Sequence, residues 1–310
     1  MSFSIIGIGE VLWDLLPAGP QLGGAPANFA YHAHALGAQA RVVTRIGKDS
    51  LGHDILRRFE DEGIADGTIQ IDELAPTGTV AVALSERGVP NYLIHENVAW
   101  DRLEATPAAL KAIREADAIC FGSLAQRSEI SRASIQRLVS AARADAWRVF
   151  DINLRQSYYT REAIEQSLRL ANVLKLNDSE LPLLANLFEL GDSPRKQIEQ
   201  LAKGFSLRLV ALTRGPHGSL LFQDGNWSEQ GPQAVQVVDT VGAGDSFTAA
   251  LVMGLLLEMG LDDLHANAAD IARHVCSHAG ATPALPSLIR SRFAKYEADH
   301  FKRTECTVTA

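Results

Sequence analysis

The fold is decided by residues 118–176, which read AICFGSLAQRSEISRASIQRLVSAARADAWRVFDINLRQSYYTREAIEQSLRLANVLKL. Three short apolar runs have the length of buried strands, and the two longer segments between them have the apolar spacing of helices. The strands are Ala118–Gly122, Arg148–Ile152 and Val173–Leu176, and the helices are Ile130–Ala144 and Arg161–Leu170. Strands alternating with helices predict a mostly parallel sheet with helices on both faces.

The same alternation extends over most of the 310 residues. It predicts strands at Ser4–Gly9, Arg41–Ile46 and Leu207–Thr213, and helices at Ala25–Leu36, Leu51–Glu62, Pro107–Glu115 and in most of the chain after Ala243. A chain of this length is long enough to bury a core without disulfide or metal support.

One stretch departs from the alternation. Thr77–Ser85 and Asn91–Glu96 are rich in β-forming residues and predict a hairpin, with which Leu12–Leu16 could pair. The pattern alone leaves two arrangements open. The hairpin forms either a small antiparallel flap on the α/β body or an edge of the main sheet.

Composition excludes several classes of protein. The formal net charge of −8 argues against a nucleic-acid partner. The three cysteines are scattered and outside any CxxC spacing, as in a reducing compartment. The first nine residues lack the basic start of a signal peptide, and no apolar run approaches the length of a membrane span. We therefore expect a cytoplasmic protein that is not bound to a membrane.

The strongest chemical signal is DTVGAGDSF at residues 239–247, followed by an apolar helical run. Gly242, Ala243 and Gly244 have little or no side chain, so their amides can approach one ligand at the start of a helix. Such a start binds anions, phosphate in particular. Asp245 falls in the first turn of that helix, where its carboxylate can take a proton from an attacking hydroxyl. The run therefore predicts phosphoryl transfer.

This run resembles the C-terminal signature of the ribokinase (PfkB) carbohydrate kinases, and GGAPAN at residues 23–28 resembles their N-terminal signature. The resemblance extends over essentially the whole chain. It implies a single domain, 1–310, folded as a three-layer α/β/α sandwich with a β lid formed by segments 11–18 and 77–98. It also implies that Asp245 is the catalytic base and that the three residues before it form the anion hole.

The resemblance assigns the sugar site as well. Asp14, Gly24 and Asn28 are implied to hold sugar hydroxyls, and Asn28 lies one turn into a helix with both a donor and an acceptor to offer. Arg155, in the D-x-N-x-R pattern of residues 151–155, is implied to face the transferred phosphate. For Asp14 and Arg155 the residues alone also allow an ordinary turn or surface position.

Further residues are implied to bind the nucleotide and metal ions. Asn177 and Glu180 match an N-x-x-E pattern, in which the Glu acts on Mg²⁺ through water; the residues alone also allow an ordinary helix start, with Asp178 or Ser179 as the cap and Glu180 in the first turn. The T-x-G-x-x-G run at residues 213–218 places Thr213 and Gly215 beside the nucleotide, or is a plain turn between strands. The resemblance also suggests Asn267 near the adenine, and Asp239 at a monovalent-cation site with carbonyls near Gly280 and Ala284.

The expected cofactors are ATP and Mg²⁺, with K⁺ as a further candidate. D-fructose, phosphorylated to fructose 6-phosphate, is the expected substrate, because two stretches are similar to bacterial fructokinases. These are GEVLWD at residues 9–14 and the segment Tyr92–Leu103, in which ENVAWD at residues 96–101 resembles their A-x-W-D pattern. Ribose, 2-keto-3-deoxygluconate and a nucleoside are the alternatives. The exposed edges of the predicted flap also suggest a homodimer.

Other functions fit less well. A dinucleotide-binding enzyme needs a third glycine after Gly7-Ile8-Gly9, and residues 10–12 do not supply it. A sugar-binding sensor that had lost the chemistry is expected to lack the base or the anion hole, and both are present. His274, Cys276 and His278 could suggest a metal site, but the simpler interpretation is ordinary helix-face residues.

Overall fold

The computed structural model describes residues 2–16, 19–84 and 90–308, apart from the side chains of 82–84, 90–92, 299 and 301–308. The described strands are β1 (Ser4–Ile8), β2 (Leu12–Leu16), β3 (Gly19–Gly23), β4 (Gln39–Gly47), β5 (Ile69–Asp72), β6 (Gly78–Leu84), β7 (Pro90–Ile94), β8 (Ala118–Phe121), β9 (Trp147–Asp151), β10 (Val173–Asn177), β11 (Leu209–Thr213), β12 (Ser219–Gln223) and β13 (Asn226–Gln230). The described helices are α1 (Ala25–Ala35), α2 (Ser50–Asp61), α3 (Pro107–Glu115), α4 (Glu129–Ser140), α5 (Arg161–Leu170), α6 (Glu180–Phe188), α7 (Pro194–Phe205), α8 (Ala243–Leu256), α9 (Leu261–Cys276) and α10 (Ser287–Val308).

The large sheet has the strand order β13-β12-β11-β10-β9-β8-β1-β4-β5. All pairs from β5 to β11 are parallel, and β12 and β13 continue the edge antiparallel. The parallel part has the predicted architecture. The Thr213–Gly218 run is the turn that reverses the chain between β11 and β12.

The two faces of this sheet bury different apolar clusters. In β1, Ile5 points into one cluster while its neighbour Ile6 points into the other, as alternate strand residues do. Helices α1, α2, α8, α9 and α10 supply residues to the first cluster, and helices α3 to α7 supply residues to the second. The predicted three-layer α/β/α sandwich is therefore confirmed.

Helix boundaries follow local chemistry. Thr106 precedes α3 and its hydroxyl accepts a hydrogen bond from the Ala109 amide, as its capping position predicts. Asp49 caps α2 in the same way through the Gly52 amide. Within the described ranges, no helix is long and apolar enough to cross a membrane.

A second sheet of four strands has the order β3-β2-β6-β7 and shares no strand with the large one. Of the two open arrangements, the structure therefore has the separate flap. The flap is mixed rather than antiparallel, because β2 pairs with β6 in parallel. The sequence analysis missed β3, which pairs with β2 beyond the predicted segment 11–18. Residues 17–18 of that segment and residues 85–89 of segment 77–98 lie outside the described residues.

Candidate active site

Two predicted residues from opposite ends of the chain meet directly. The Asn28 side-chain amide in α1 donates a hydrogen bond of 2.8 Å to Oδ2 of Asp245 in α8. Asn28 is buried, and its helix packs against α8 through the first apolar cluster. The predicted sugar-binding amide and the predicted base thus share one site.

The start of α8 has the form of an anion-binding helix terminus. Gly242 precedes the helix with φ 77°, in the left-handed region, and a Cβ on it would lie 2.4 Å from the Ala281 carbonyl oxygen. The Gly242 carbonyl accepts the hydrogen bond of the Ser246 amide, so the amides of Gly244 and Asp245 precede the first intrahelical bond. The Ala243 amide makes a long turn contact, 3.3 Å, with the Thr240 carbonyl.

The surroundings of Asp245 suit a proton acceptor. Burial and the neighbouring Asp151 carboxylate raise its pKa from an ordinary 3.8 to about 6. The Asn28 hydrogen bond and the positive charges of Lys175 and Arg155 oppose this rise. A carboxylate with a pKa near 6 is ionised at neutral pH and is a stronger base than an exposed aspartate.

Asp14 and Arg155 connect the small sheet to this site. Asp14 lies on β2, and a Cβ on Gly23 would come within 2.5 Å of its Oδ2, so the first glycine of GGAPAN makes room for this carboxylate. Burial raises the pKa of Asp14, and the charge of Arg155 lowers it. Arg155 is exposed and also acts electrostatically on Asp245. It is therefore close enough to act electrostatically on both the predicted sugar carboxylate and the predicted base.

Gly24 is required by a close approach of the backbone. It has φ 109° and precedes α1, and a Cβ would lie 2.4 Å from the Glu10 carbonyl oxygen. Its own carbonyl accepts hydrogen bonds from the amides of Ala27 and Asn28. The glycine thus lets the first turn of α1 lie against the end of β1.

Asn177 and Glu180 have structural partners at the predicted nucleotide site. Oδ1 of Asn177 accepts hydrogen bonds from the Ser179 and Glu180 amides and so caps α6. The buried Glu180 carboxylate accepts from the amides of Leu154 (2.8 Å) and Asn177 (2.7 Å), which joins the ends of β9 and β10. The helix start that the sequence analysis left open is present, with Glu180 in the first turn, but the capping oxygen comes from Asn177, and Ser179 makes no side-chain capping bond. The roles of Asn177 and Glu180 toward nucleotide and Mg²⁺ stay predictions.

Thr213 lies beside Asn177, because the two residues are paired at the ends of β11 and β10. Gly215 follows in the turn with φ 51° and open space around it, which leaves room for a ligand. Asn267 is different. It is buried in α9, where its amide donates to the Asp263 carbonyl and its oxygen accepts from Arg292, so its contacts here are structural.

Asp239 is held near one of the two predicted carbonyl positions. Its carboxylate accepts hydrogen bonds from the Val241 and Gly280 amides, both 3.0 Å long. The Ala284 carbonyl accepts instead from the His274 ring. The cation role of Asp239 stays a prediction.

The histidines near this loop have ordinary partners as well. The His278 ring bonds to the His274 carbonyl, and the two rings lie 4.2 Å apart. Among the residues that the structure describes, no group of three or more His, Cys, Asp or Glu side chains could hold a metal ion.

Two residues of the site were missed by the sequence analysis. Lys175 is buried in the middle of β10 and pairs with Asp151, with 3.1 Å between Nζ and Oδ1. Glu10 follows β1 and is buried, and among the described residues its Oε2 has no hydrogen-bond partner. Burial raises the pKa of Glu10 to about 7. The sequence did contain a signal for both residues, because each is a charged residue inside or directly after an apolar strand. Charged residues are rarely buried unless they are paired.

The site therefore combines a helix terminus, two cations, a carboxylate with a raised pKa and an aspartate on the small sheet. The family model for pfkB family carbohydrate kinases matches residues 20–288. The chain belongs to this family.

Among the relatives of this carbohydrate kinase is a fructokinase from Escherichia coli, 30% identical over 267 residues that cover 82% of this chain and 85% of the relative. A relative from Pyrococcus horikoshii, described as an uncharacterized sugar kinase, is 28% identical over 275 residues, 83% of this chain and 84% of the relative.

Solved structures agree with the fold of this kinase. The crystal structure of the Pyrococcus horikoshii sugar kinase has a TM-score of 0.80 at 27% identity, covering 94% of this chain and 97% of that one. The same protein has also been crystallised in complex with ATP. A Xylella fastidiosa fructokinase with bound ATP has a TM-score of 0.83 at 21% identity, covering 96% of this chain and all of that one, and so supports the fold alone.

Proposed function

We propose that this kinase transfers the γ-phosphoryl group of ATP to a primary hydroxyl of a sugar, and that the sugar is D-fructose. The observation that carries the reaction is the 2.8 Å bond from Asn28 to Asp245 at the start of α8. It puts a group suited to a sugar hydroxyl, a proton acceptor and a phosphate-binding helix terminus at one place.

In the proposed reaction, Asp14, Gly24 and Asn28 hold the sugar hydroxyls. Asp245 takes the proton of the attacking hydroxyl. The amides of the Gly242–Gly244 run, together with Arg155, stabilise the negative charge on the transferred group. The small sheet acts as a lid that excludes water, so that ATP is not hydrolysed without acceptor.

ATP supplies the phosphoryl group and Mg²⁺ neutralises phosphate charge when the two are bound together. Mg²⁺ needs few protein ligands, because it keeps several waters. The proposed contacts are Asn177, Thr213, Gly215 and Asn267 toward the nucleotide, Glu180 toward Mg²⁺ through water, and Asp239 toward K⁺. Each oxygen of Glu180 accepts one backbone amide and keeps a lone pair that can accept from a water bound to Mg²⁺.

The choice of fructose is supported by the relative in Escherichia coli, which is named a fructokinase. The A-x-W-D pattern supports it only indirectly. Trp100 is buried, and Asp101 makes a two-pronged ion pair with Arg127, at 2.8 and 2.9 Å. This pattern braces the region beside the small sheet. Its contacts here are with other parts of the protein, so it supports fructose only as a likeness to fructokinases.

The experiment is ADP release in a coupled assay with fructose, ribose, 2-keto-3-deoxygluconate, adenosine or no acceptor, in Mg²⁺ and K⁺. We expect fructose to give the highest turnover, and Asp245→Asn to serve as the inactive control. A higher rate with another acceptor keeps the kinase and refutes fructose. No turnover with any acceptor, together with measurable sugar binding, would favour a sugar sensor.

We also propose a homodimer formed through the small sheet. Leu15, Ala81 and Leu93 lie in register across β2, β6 and β7, and the two leucines are exposed. Such an apolar row at the surface is typical of a covered face. Sedimentation of the wild type and Leu93→Asp tests this. A monomeric wild type at micromolar concentration contradicts it.

A further inference from the structure

Lys175 links three elements around the site. Its Nζ lies 3.1 Å from Oδ1 of Asp151 on the neighbouring strand, and both side chains are more than nine-tenths buried. The hydroxyl of Thr248, one turn into α8, donates to Oδ2 of the same Asp151 at 2.9 Å. A lysine on β10 is thus connected through β9 to the helix that carries Asp245.

The ammonium group also lies against the first turn of α8. A Cβ built on Gly244 would come within 2.8 Å of Nζ of Lys175. The second glycine of the GAGD run therefore makes room for a buried positive charge, in addition to leaving its amide accessible. The ammonium acts electrostatically on Asp245, the next residue, and because both side chains are buried, water screens this interaction little.

We propose that Lys175 and Asp151 form a charge pair that positions the start of α8 and sets the protonation state of Asp245 for phosphoryl transfer. The inference rests on the proposed role of Asp245 as base. Neither partner needs to touch substrate, so both are positioning residues that act through Asp245.

The charges around Asp245 support this division of roles. The titratable and charged groups that face it are Asp151 from β9, Lys175 from β10, Arg155 from the loop after β9, Glu10 after β1 and Cys120 from β8. After burial, Asp151 has the largest effect that raises the pKa of Asp245, and Lys175 is among the groups that lower it. The two members of the pair therefore shift the pKa of Asp245 in opposite directions, and Asp151 has the larger effect.

Three proteins separate these effects: the wild type, Asp151→Asn, and Asp151→Asn combined with Lys175→Met. The asparagine keeps an oxygen for Lys175 and removes only the charge. In the double variant no carboxylate is left unpaired at position 151. The difference between the double variant and Asp151→Asn therefore reports the effect of the Lys175 ammonium alone. The matched control is Lys111→Met, which removes an exposed lysine from α3.

The measurement is kcat/KM for the sugar against pH, at saturating ATP and Mg²⁺. We expect Asp151→Asn to move the acid limb to lower pH by roughly one unit, and Lys175→Met in that background to move it back by a similar amount. The Lys111→Met profile should match the wild type. A pair with only a structural role lowers kcat at every pH and leaves the limb in place, which would overturn the proposal.

A second measurement separates this inference from the proposed function. The carboxyl ¹³C signal of Asp245, assigned through Asp245→Asn, is titrated in all three proteins without substrate. The same order of apparent pKa values supports the charge pair even if no tested sugar is phosphorylated. Equal titration of Asp245 in all three proteins refutes the charge pair even if the wild type is an active kinase.

Discussion

Replacing Asp245 with asparagine removes the proposed proton acceptor and little else. The amide keeps an oxygen that can accept the Asn28 hydrogen bond, now 2.8 Å long, and it has nearly the same volume as the acid. Loss of a general base typically costs about 10²–10⁴ in rate, so kcat should fall by at least about a hundredfold. The affinity for sugar should change little, because Asp14, Gly24 and Asn28 remain.

The pH dependence gives a sharper criterion. With a pKa of about 6, Asp245 is ionised in about ten molecules of eleven at pH 7 and in about one of eleven at pH 5. Wild-type kcat/KM should therefore fall about tenfold over this interval, because the protonated carboxyl cannot accept the hydroxyl proton. In Asp245→Asn this acid limb should be absent from the residual activity.

The assay is ADP release from pH 5 to 8, with Asp224→Asn as the control. That substitution makes the same chemical change at an exposed residue of the β12–β13 turn, where the left-handed backbone suits asparagine equally well. It should leave both kcat and the profile unchanged. Near-normal turnover of Asp245→Asn, or an unchanged acid limb, would refute the role of Asp245.

Three further predictions concern stability. Gly242→Ala should lower the free energy of unfolding by about 1–3 kcal/mol in urea titrations, because φ is 77° and the new Cβ would meet the Ala281 carbonyl; an unchanged midpoint contradicts this. Glu180→Gln should lower the free energy of unfolding by about 1–3 kcal/mol, because one of the two backbone amides bound by the carboxylate loses its acceptor. The control Glu162→Gln changes an exposed residue at the start of α5 and should leave stability unchanged. Equal urea midpoints for the two variants would refute the role of Glu180 in joining the strand ends. Burial lowers the pKa of His32 to about 4. Below pH 6.5 the unfolded chain therefore binds a proton at this residue that the native protein does not bind. The free energy of unfolding should fall by up to about 3 kcal/mol as pH falls from 6.5 to 4. In His32→Gln that part of the pH dependence should disappear from urea unfolding, and a wild-type slope in the variant rules it out.

Much of the fold follows from local pattern. Arg161–Leu170 and Pro107–Glu115 are helices with the predicted bounds, because amphipathic spacing and threonine caps specify them locally. The direction of β2 against β6 was not predictable in this way. It depends on where the chain passes between Leu16 and Gly78, which strand propensity does not encode. The strand β3 was missed because GPQLG has no β pattern and is held by pairing with β2.

In the candidate site, too, short motifs were predictable from the sequence, whereas contacts between distant segments were not. Asn28 and Asp245 were each identified from a short signature, but the hydrogen bond between them joins residues 217 positions apart and required the fold. The roles of Asn177 and Glu180 depend on which backbone amides end nearby, and a motif does not specify those amides. Lys175 was missed because the apolar residues around it identified the strand and drew no attention to the lysine. Its burial is explained by the ion pair with Asp151, which only the fold reveals.

The packing of α1 against α8 has a consequence for synthesis of the chain. Phe29 of α1 and Phe247 of α8 belong to the same buried cluster, so a nascent chain that ends before α8 exposes the apolar face of its first helix. The signature at residues 23–28, with its predicted sugar-binding residues, leaves the ribosome first, and Asp245, the proposed base, follows more than two hundred residues later. A chain that ends before α8 therefore lacks both the cover of this apolar face and the partner of Asn28, and the proposed phosphoryl transfer requires the last third of the protein to fold onto the first.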